Sequence, residues 1–515
     1  MLFSTYTFLL FFLPIVLAGF FLLGRYNWRW STSWLTISSL VYYAWWNPIP
    51  EHPWNPWFVV LIILSCGANY LVGNGIAISS VHKTRKLLVI FGVSANILLL
   101  LYYKYLGIFS VWSNAATGWP ADIPVLVMPL AVSFFTFLQI AFLVDVYRGD
   151  KTGYSFGDYV LFVTFFPHLV AGPLVHHREL ISQFKPRITR ISSRCFAIGL
   201  TVLAIGLFKK VIVADNLAET ATPIFQFAAE GTRALTMGEA WIGALAYTFQ
   251  IYFDFSGYSD MAIGISYLFG LKLPLNFNSP YKATSIIDFW RRWHMTLSRF
   301  LRDYLYIPLG GNRKGPVRRY ANLMITMLLG GLWHGAGITF VLWGVLHGLY
   351  LCINNVWIAL RKKFGWKPMP KFLAIAITFV AVVFAWVPFR SGNFELASHG
   401  NARLAWDATA SFYHSMVIPQ DGSLWTPLSA DSIMKFKRAI RPIAYAVIIA
   451  FFLPNTQQFL GRFSPHFRDP KEPASPRPRW WNWRPNPYAA AFTFILFLIV
   501  TLEIDRGGEF IYFQF

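Results

Sequence analysis

From Tyr320 to Leu360 the chain runs 41 residues without a Lys, Arg, Asp or Glu, and near the end of the first third of that run stands Trp333-His334-Gly335. The stretch is long enough for two membrane crossings at about 20 residues each. It carries a titratable imidazole into surroundings otherwise as apolar as lipid. Ionisable groups at such depth usually face a bundle interior or a water-filled path, so the segment points to a reaction or transport site within the bilayer.

The rest of the chain agrees: 56% of residues are hydrophobic, 13% are charged, and apolar runs recur from end to end. Only helices and closed barrels satisfy their backbone in lipid, and runs of this length predict an all-α polytopic membrane protein. Candidate spans fall at 3–23, 33–48, 57–77, 87–106, 124–144, 159–175, 196–214, 241–253, 261–271, 321–337, 339–358, 372–388, 443–454 and 488–503. The first lacks a basic start and a small-residue cleavage site, which reads as an uncleaved span. Arg25 and Arg29 behind it favour an external N-terminus and an internal Tyr26–Trp30 loop. No internal repeat is visible, and the expected organisation is one integral domain over 1–515, with a motif core at about 160–350. The polar stretch 391–440 predicts an extramembrane loop. The Pro-, Arg- and Trp-rich stretch 462–487 predicts an interfacial anchor.

The segments 241–253 and 261–271 flank Asp254-Phe255-Ser256-Gly257-Tyr258-Ser259-Asp260, so they form one helix with a polar centre or two half-helices. From Lys272 to Arg319 the mixture of aromatics and charges predicts re-entrant or interfacial helices over a cavity. Within it, Asp288 to Ser298 scans as a helix that aligns Trp290, His294 and Ser298 at i, i+4, with Asp288–Arg292 and Arg299–Asp303 as pairs. His294 could equally serve only to bond a neighbouring helix, and His334 to sit satisfied in the core. The small residues around His334, from Gly330 to Gly337, would let a backbone or a substrate approach closely.

A net charge of +21, from 44 Lys and Arg against 23 Asp and Glu, could in principle serve nucleic acid. The basic residues instead gather in short blocks between apolar runs, as cytoplasmic loops on anionic lipid do. Arg313, Lys314, Arg318 and Arg319 could also hold phosphates, although Gly310-Gly311-Asn312-Arg313-Lys314-Gly315 is not a P-loop. No nucleic-acid motif is present. Cys66, Cys195 and Cys352 form neither a disulfide framework nor a thiolate site. No metal is expected, because the adjacent His176 and His177 would point in different directions on a helix.

Several motifs in order now carry a resemblance. Phe165-Phe166-Pro167-His168-Leu169-Val170-Ala171-Gly172-Pro173, Asp254 to Met261, Trp290-Arg291-Arg292-Trp293-His294, Arg302 to Arg313, Gly330 to Gly335 and the aromatic end Phe510 to Phe515 together resemble the membrane-bound O-acyltransferase family (MBOAT), in particular its bacterial polysaccharide O-acetylation group. The resemblance implies a ring of about 11–14 transmembrane and re-entrant helices around a funnel. It implies transfer of an acetyl group from acetyl-CoA on the cytoplasmic side of a bacterial inner membrane toward hydroxyls of an alginate-like, cellulose or peptidoglycan acceptor, with a periplasmic acetyltransferase or acetyl-relay partner. His334 and His294 map onto the family's two histidines, His334 as general base. Asp254, Ser256, Tyr258, Asp260, Trp290, Arg291, Arg292, Trp293, Asn312, Arg313 and Trp333 are the expected substrate contacts. Tyr512 could relay the acyl group or belong to an aromatic belt. The departure at Val175-His176-His177-Arg178 leaves the polysaccharide open. Two other classes compete: a transporter using Asp145, Asp254 and Asp260 as buried ion sites, and a scaffold.

Overall fold

The structure, a computed structural model, describes residues 2–45, 56–117, 127–150, 153–231, 234–397, 402–419, 430–467, 482–504 and 511. Among these, six helical stretches are long and apolar enough to cross a membrane: Thr7–Gly24, Trp57–Ile78, His82–Leu106, Ser193–Glu230, Ile338–Phe364 and Lys371–Phe394. The protein is an all-α polytopic membrane protein.

The N-terminal part comprises α1 (Leu13–Gly24), α2 (Trp28–Ala44), α3 (Pro56–Ile78), α4 (His82–Thr117) and α5 (Val132–Tyr147). The expected span at 159–175 does not form. Helix α6 (Phe156–Thr164) stops at Phe165, whose ψ of 106° leaves the helical region, and Pro167 restarts the chain as the short α7 (Phe166–Leu169). Proline lacks an N–H and suits a first turn, so the break follows from the sequence. Another short turn, α8 (His177–Leu180), leads to α9 (Ser193–Leu207), a π turn at Phe208–Ala214 and α10 (Asp215–Glu230).

At the centre lies α11 (Met237–Leu268), one continuous helix with its polar middle intact. Helix α9 lies close against it: a Cβ on Gly206 would stand 2.7 Å from the Gly257 carbonyl oxygen, and one on Gly264 would stand 2.7 Å from that of Gly199. Small residues permit this backbone approach. The approach carries the π turn over the polar middle. Lys209 Nζ there reaches Asp260 at 2.5 Å, while Lys210 Nζ reaches Asp254 at 2.9 Å and Asp215 at 2.7 Å. A half-helix break is unnecessary because the carboxylates find cations in place of water.

The mixed region holds α12 (Ile286–Trp290), α13 (Met295–Leu301) and a π turn at Arg302–Tyr306, then α14 (Gly315–His334) and α15 (Ile338–Phe364), with residues 335–337 between the last two. Beyond them come α16 (Lys371–Ala397), α17 (Ala402–Val417), α18 (Ala430–Val447), α19 (Thr456–Phe459) and α20 (Pro487–Glu503). The stretch 391–440 is thus helical over much of its length, because α17 buries Ala405, Ala408, Phe412 and Met416 on one face. Within 462–487, Trp483 is buried and Asn482 Nδ2 donates to Gln458 O, while 468–481 lie outside the described residues.

Replacing Lys210 with Met would leave Asp254 and Asp215 facing each other without their shared cation. Removing one partner of a buried pair costs about 3–5 kcal/mol. Thermal unfolding in nanodiscs should show a clear fall in midpoint for K210M, partly restored in K210M/D254N; an unchanged midpoint would contradict this role.

Candidate active site

His294 does not lie within a helix. The predicted run from Asp288 to Ser298 breaks after Trp290, and His294 caps α13 with φ at +41°, a left-handed backbone uncommon outside glycine. Trp290, His294 and Ser298 therefore do not share one helical face. Strained backbone persists only where surroundings over-determine it, and here they do. Asn278 N–H donates to Arg292 O at 3.0 Å, Met295 N–H donates to Asn276 O at 2.9 Å, and Thr296 Oγ1 donates to Asn276 Oδ1 at 2.6 Å. The turn drives His294 into the interior, fully buried, with its ring edge-on to Phe255 of α11 at 4.7 Å between centroids.

His334 arrives from the other side as the last residue of α14. The residue is 4% exposed, and its ring is enclosed by Trp333 at 4.8 Å, Trp343 at 5.1 Å and Phe389 at 5.1 Å. Trp333 bridges the two histidines, its centroid 6.5 Å from His294. The helix end is held by α4: Lys104 Nζ donates to the carbonyls of Trp333 and of His334, the latter at 2.9 Å, and Tyr105 OH donates to Leu332 O. A cation there suits the negative end of a helix. Gly331 lets α15 in, since a methyl on it would strike the Phe340 carbonyl.

A third buried histidine, His347 on α15, joins the cluster; its ring stands 4.8 Å from Trp343 and its Nδ1 accepts from Trp290 Nε1 at 3.3 Å. Trp290 also lines a cavity of about 700 Å³ beside the cluster, together with Arg291, Arg299, Arg302, Arg319 and Asn312. Two of these arginines have acidic partners: Arg299 grips Glu179 through two bonds at 2.7 and 3.0 Å, and Arg302 takes Asp303. The expected Arg299–Asp303 pair is thus replaced, whereas Asp288–Arg292 forms at 2.8 Å. An imidazole cluster beside a cationic cavity provides a proton acceptor next to a place for an anion.

The membrane-bound O-acyltransferase family model matches residues 122–391, which include all three histidines and the cavity's four arginines. The chain belongs to this family. Like its relatives it is an acyltransferase. It is 43% identical over 425 residues to the peptidoglycan O-acetyltransferase of Helicobacter pylori, covering 77% of this chain and 78% of that protein. It is 38% identical over 468 residues to the protein named probable alginate O-acetylase AlgI of Pseudomonas syringae pv. tomato, covering 89% and 83%. A more distant relative, the teichoic acid D-alanyltransferase of Streptococcus thermophilus, is 28% identical over 289 residues, covering 50% and 68%.

In this acyltransferase the other expected site residues divide into three groups. Trp290, Arg291 and Asn312 line the cavity, and Trp333 touches both histidines. Trp293 packs on Trp386 in the core, Arg292 binds Asp288, and Arg313 is exposed outside the cavity lining. Asp254 and Asp260 are engaged by Lys210 and Lys209, and the Asp254 Oδ2 also accepts from Ile511 N–H at 3.0 Å. Ser256 lines a water-sized cavity of about 10 Å³ on that side, and the Tyr258 ring stacks on Phe3 at 4.8 Å. Tyr512 lies outside the described residues. His347 and Lys104 went unread in the sequence. A basic residue following three apolar ones in Leu101-Tyr102-Tyr103-Lys104 was the available signal for the second.

Lys104→Met should loosen the end of α14 and so misplace His334. Losing charge-assisted bonds costs about 1.5–3 kcal/mol, so kcat should fall roughly 10–100-fold with the donor KM little changed. An unchanged kcat in steady-state assays would show that Lys104 does not position the site.

Proposed function

We propose that this acyltransferase moves an acetyl group from acetyl-CoA on the cytoplasmic side of a bacterial inner membrane toward hydroxyls of an extracytoplasmic polysaccharide, with His334 as general base. The observation that supports it most is the cavity of about 700 Å³ lined by Arg291, Arg299, Arg302 and Arg319, which borders the buried histidine cluster through Trp290, the hydrogen-bond partner of His347. A thioester donor with a phosphate-rich tail fits such a lining: guanidinium groups pair phosphates, and Trp290 offers a flat apolar face. The basic surroundings favour the cytoplasmic side. The relatives named for acetylation of peptidoglycan and alginate support the acetyl group and a polysaccharide acceptor.

A hydroxyl is a weak nucleophile at neutral pH and needs a positioned base. His334 takes the hydroxyl proton as the oxygen attacks the thioester carbon. The tetrahedral intermediate then collapses, the carbon–sulfur bond breaks, and the imidazolium returns the proton to the departing thiolate. His294 orients the acyl carbonyl from the opposite side of Trp333. The strained turn that holds it is the kind of fixed geometry that costs no reorganisation during reaction. The acetyl group passes to a periplasmic acetyltransferase or relay protein, and Tyr512 is a candidate first carrier. Asp254 and Asp260 serve the same centre from behind by anchoring the π turn against α11, and Asn312 and Arg313 border the donor entrance.

The test uses purified protein in nanodiscs with radiolabelled acetyl-CoA and isolated acceptor polysaccharide. His334→Ala should reduce release of free coenzyme A by about 10²–10⁴-fold, the usual contribution of a positioned base, while its thermal midpoint stays near that of the wild type. Full release by a well-folded H334A would remove His334 from the chemistry. Release from a propionyl or D-alanyl donor in preference to acetyl would move the substrate assignment.

A further inference from the structure

Away from the histidine cluster, at the end of α5, three chemically matched groups converge. His177 Nε2 stands 3.8 Å from Asp145 Oδ2 and 3.7 Å from Asp150 Oδ2. All three donor atoms lie within 4.8 Å of one another. The His177 side chain is 1% exposed and that of Asp145 8%. Neither His177 Nε2 nor Asp150 Oδ2 has a hydrogen-bond partner, and both atoms are shielded from solvent. A buried polar atom without a hydrogen bond calls for an explanation, and here two of them face each other at 3.7 Å.

The groups around them are arranged as supports. Tyr154 OH meets His177 Nδ1 at 3.2 Å, which fixes the ring and leaves Nε2 aimed between the carboxylates when Nδ1 carries the proton. Tyr304 OH donates to Asp145 Oδ1 at 2.8 Å, so Oδ2 is the oxygen turned inward. His176 Nδ1 lies 3.2 Å from Asp145 Oδ2 and 3.1 Å from Tyr304 OH. An exposed Arg178 approaches Asp150 Oδ2 at 3.4 Å from outside. Outer hydrogen bonds of this kind orient metal ligands.

We propose that His177, Asp145 and Asp150 form a binding site for one divalent transition-metal ion, of which zinc and manganese are the best matched. One imidazole with two carboxylates is a borderline-to-hard donor set that suits these ions. Bonds of about 2.0–2.2 Å require only a small closure of the present separations, which a turn of the Asp150 side chain on the loop after α5 would supply. The ion clasps the end of α5 and that loop to α8. Glu179, two residues after His177, holds Arg299 of the cavity, so the clasp fixes one wall of the donor site. The expectation of no metal assumed that adjacent histidines diverge on a helix. In the structure His176 is extended, with φ −73° and ψ 143°, and only His177 begins α8; both rings therefore meet Asp145.

The test uses the full chain in nanodiscs, free of affinity tags, stripped with chelator, equilibrated with Zn²⁺ or Mn²⁺ alone and then desalted. Metal content by mass spectrometry should be near one ion per chain in the wild type. It should be lost in Asp150→Asn and His177→Gln, since removing a ligand weakens affinity by at least about 10–100-fold. Metal should also raise the unfolding midpoint of the wild type and not of D150N, as binding to the native state alone requires. If H177Q does not yield dispersed particles, D150N, altered on a loop, decides the question. Negligible metal with both ions, or the same content in D150N as in the wild type, would overturn the site.

Discussion

Two ammonium groups, on Lys209 and Lys210, enter the interior opposite two carboxylates of α11, and this neutralisation is the constraint on which the rest of the protein depends. Buried charges are tolerated only when paired and hydrogen-bonded. Asp260 also accepts from Thr456 at 2.6 Å and from Gln457 at 3.2 Å, so the pair ties α19 to the centre as well. With the charges answered, α11 stays helical throughout. Phe255, next to Asp254, then gives His294 a fixed edge to rest on. The same pairing gives Asp254 and Asp260 a reason to be buried without ion transport.

Around that axis the histidines of the candidate site are placed by helix ends and turns. His334 is the last residue of α14, His294 is the N-cap of α13, and Trp333 spans the gap between them. Phe137 is sandwiched between Phe300 at 4.2 Å and Trp333 at 5.0 Å, which ties the side of α5 to the same stack. A site assembled in this way is stiff, because each ring is bounded by others. Shared family chemistry then leaves choice of acceptor and acyl group to the surroundings, as relatives named for peptidoglycan, alginate and teichoic acid illustrate.

Much of this was legible in the residues. The charge-free run correctly gave α14, α15 and the buried His334, and motif order gave the family. The Asp288–Arg292 pair followed from spacing alone, because both ends lie within one local turn. What failed was non-local or conformational. Periodicity carried a helix through His294, whereas bonds from Asn276 and Asn278, distant in sequence, impose a left-handed turn. Arg299 prefers Glu179, 120 residues away, over a neighbour on its own helix. A span at 159–175 looked apolar enough, but Pro167 ends it. The polarity of 391–440 concealed an amphipathic helix that needs α10, α11 and α16 to bury its apolar face.

The most direct measurement is a cryo-EM structure of the protein in nanodiscs with a thioether analogue of acetyl-CoA that cannot transfer its acyl group. The proposed function predicts density for the phosphates against Arg291 and Arg319 in the cavity, with the acyl carbonyl reaching toward His334 and His294. Density for the analogue at another surface, or an acyl end turned away from both histidines, would contradict it.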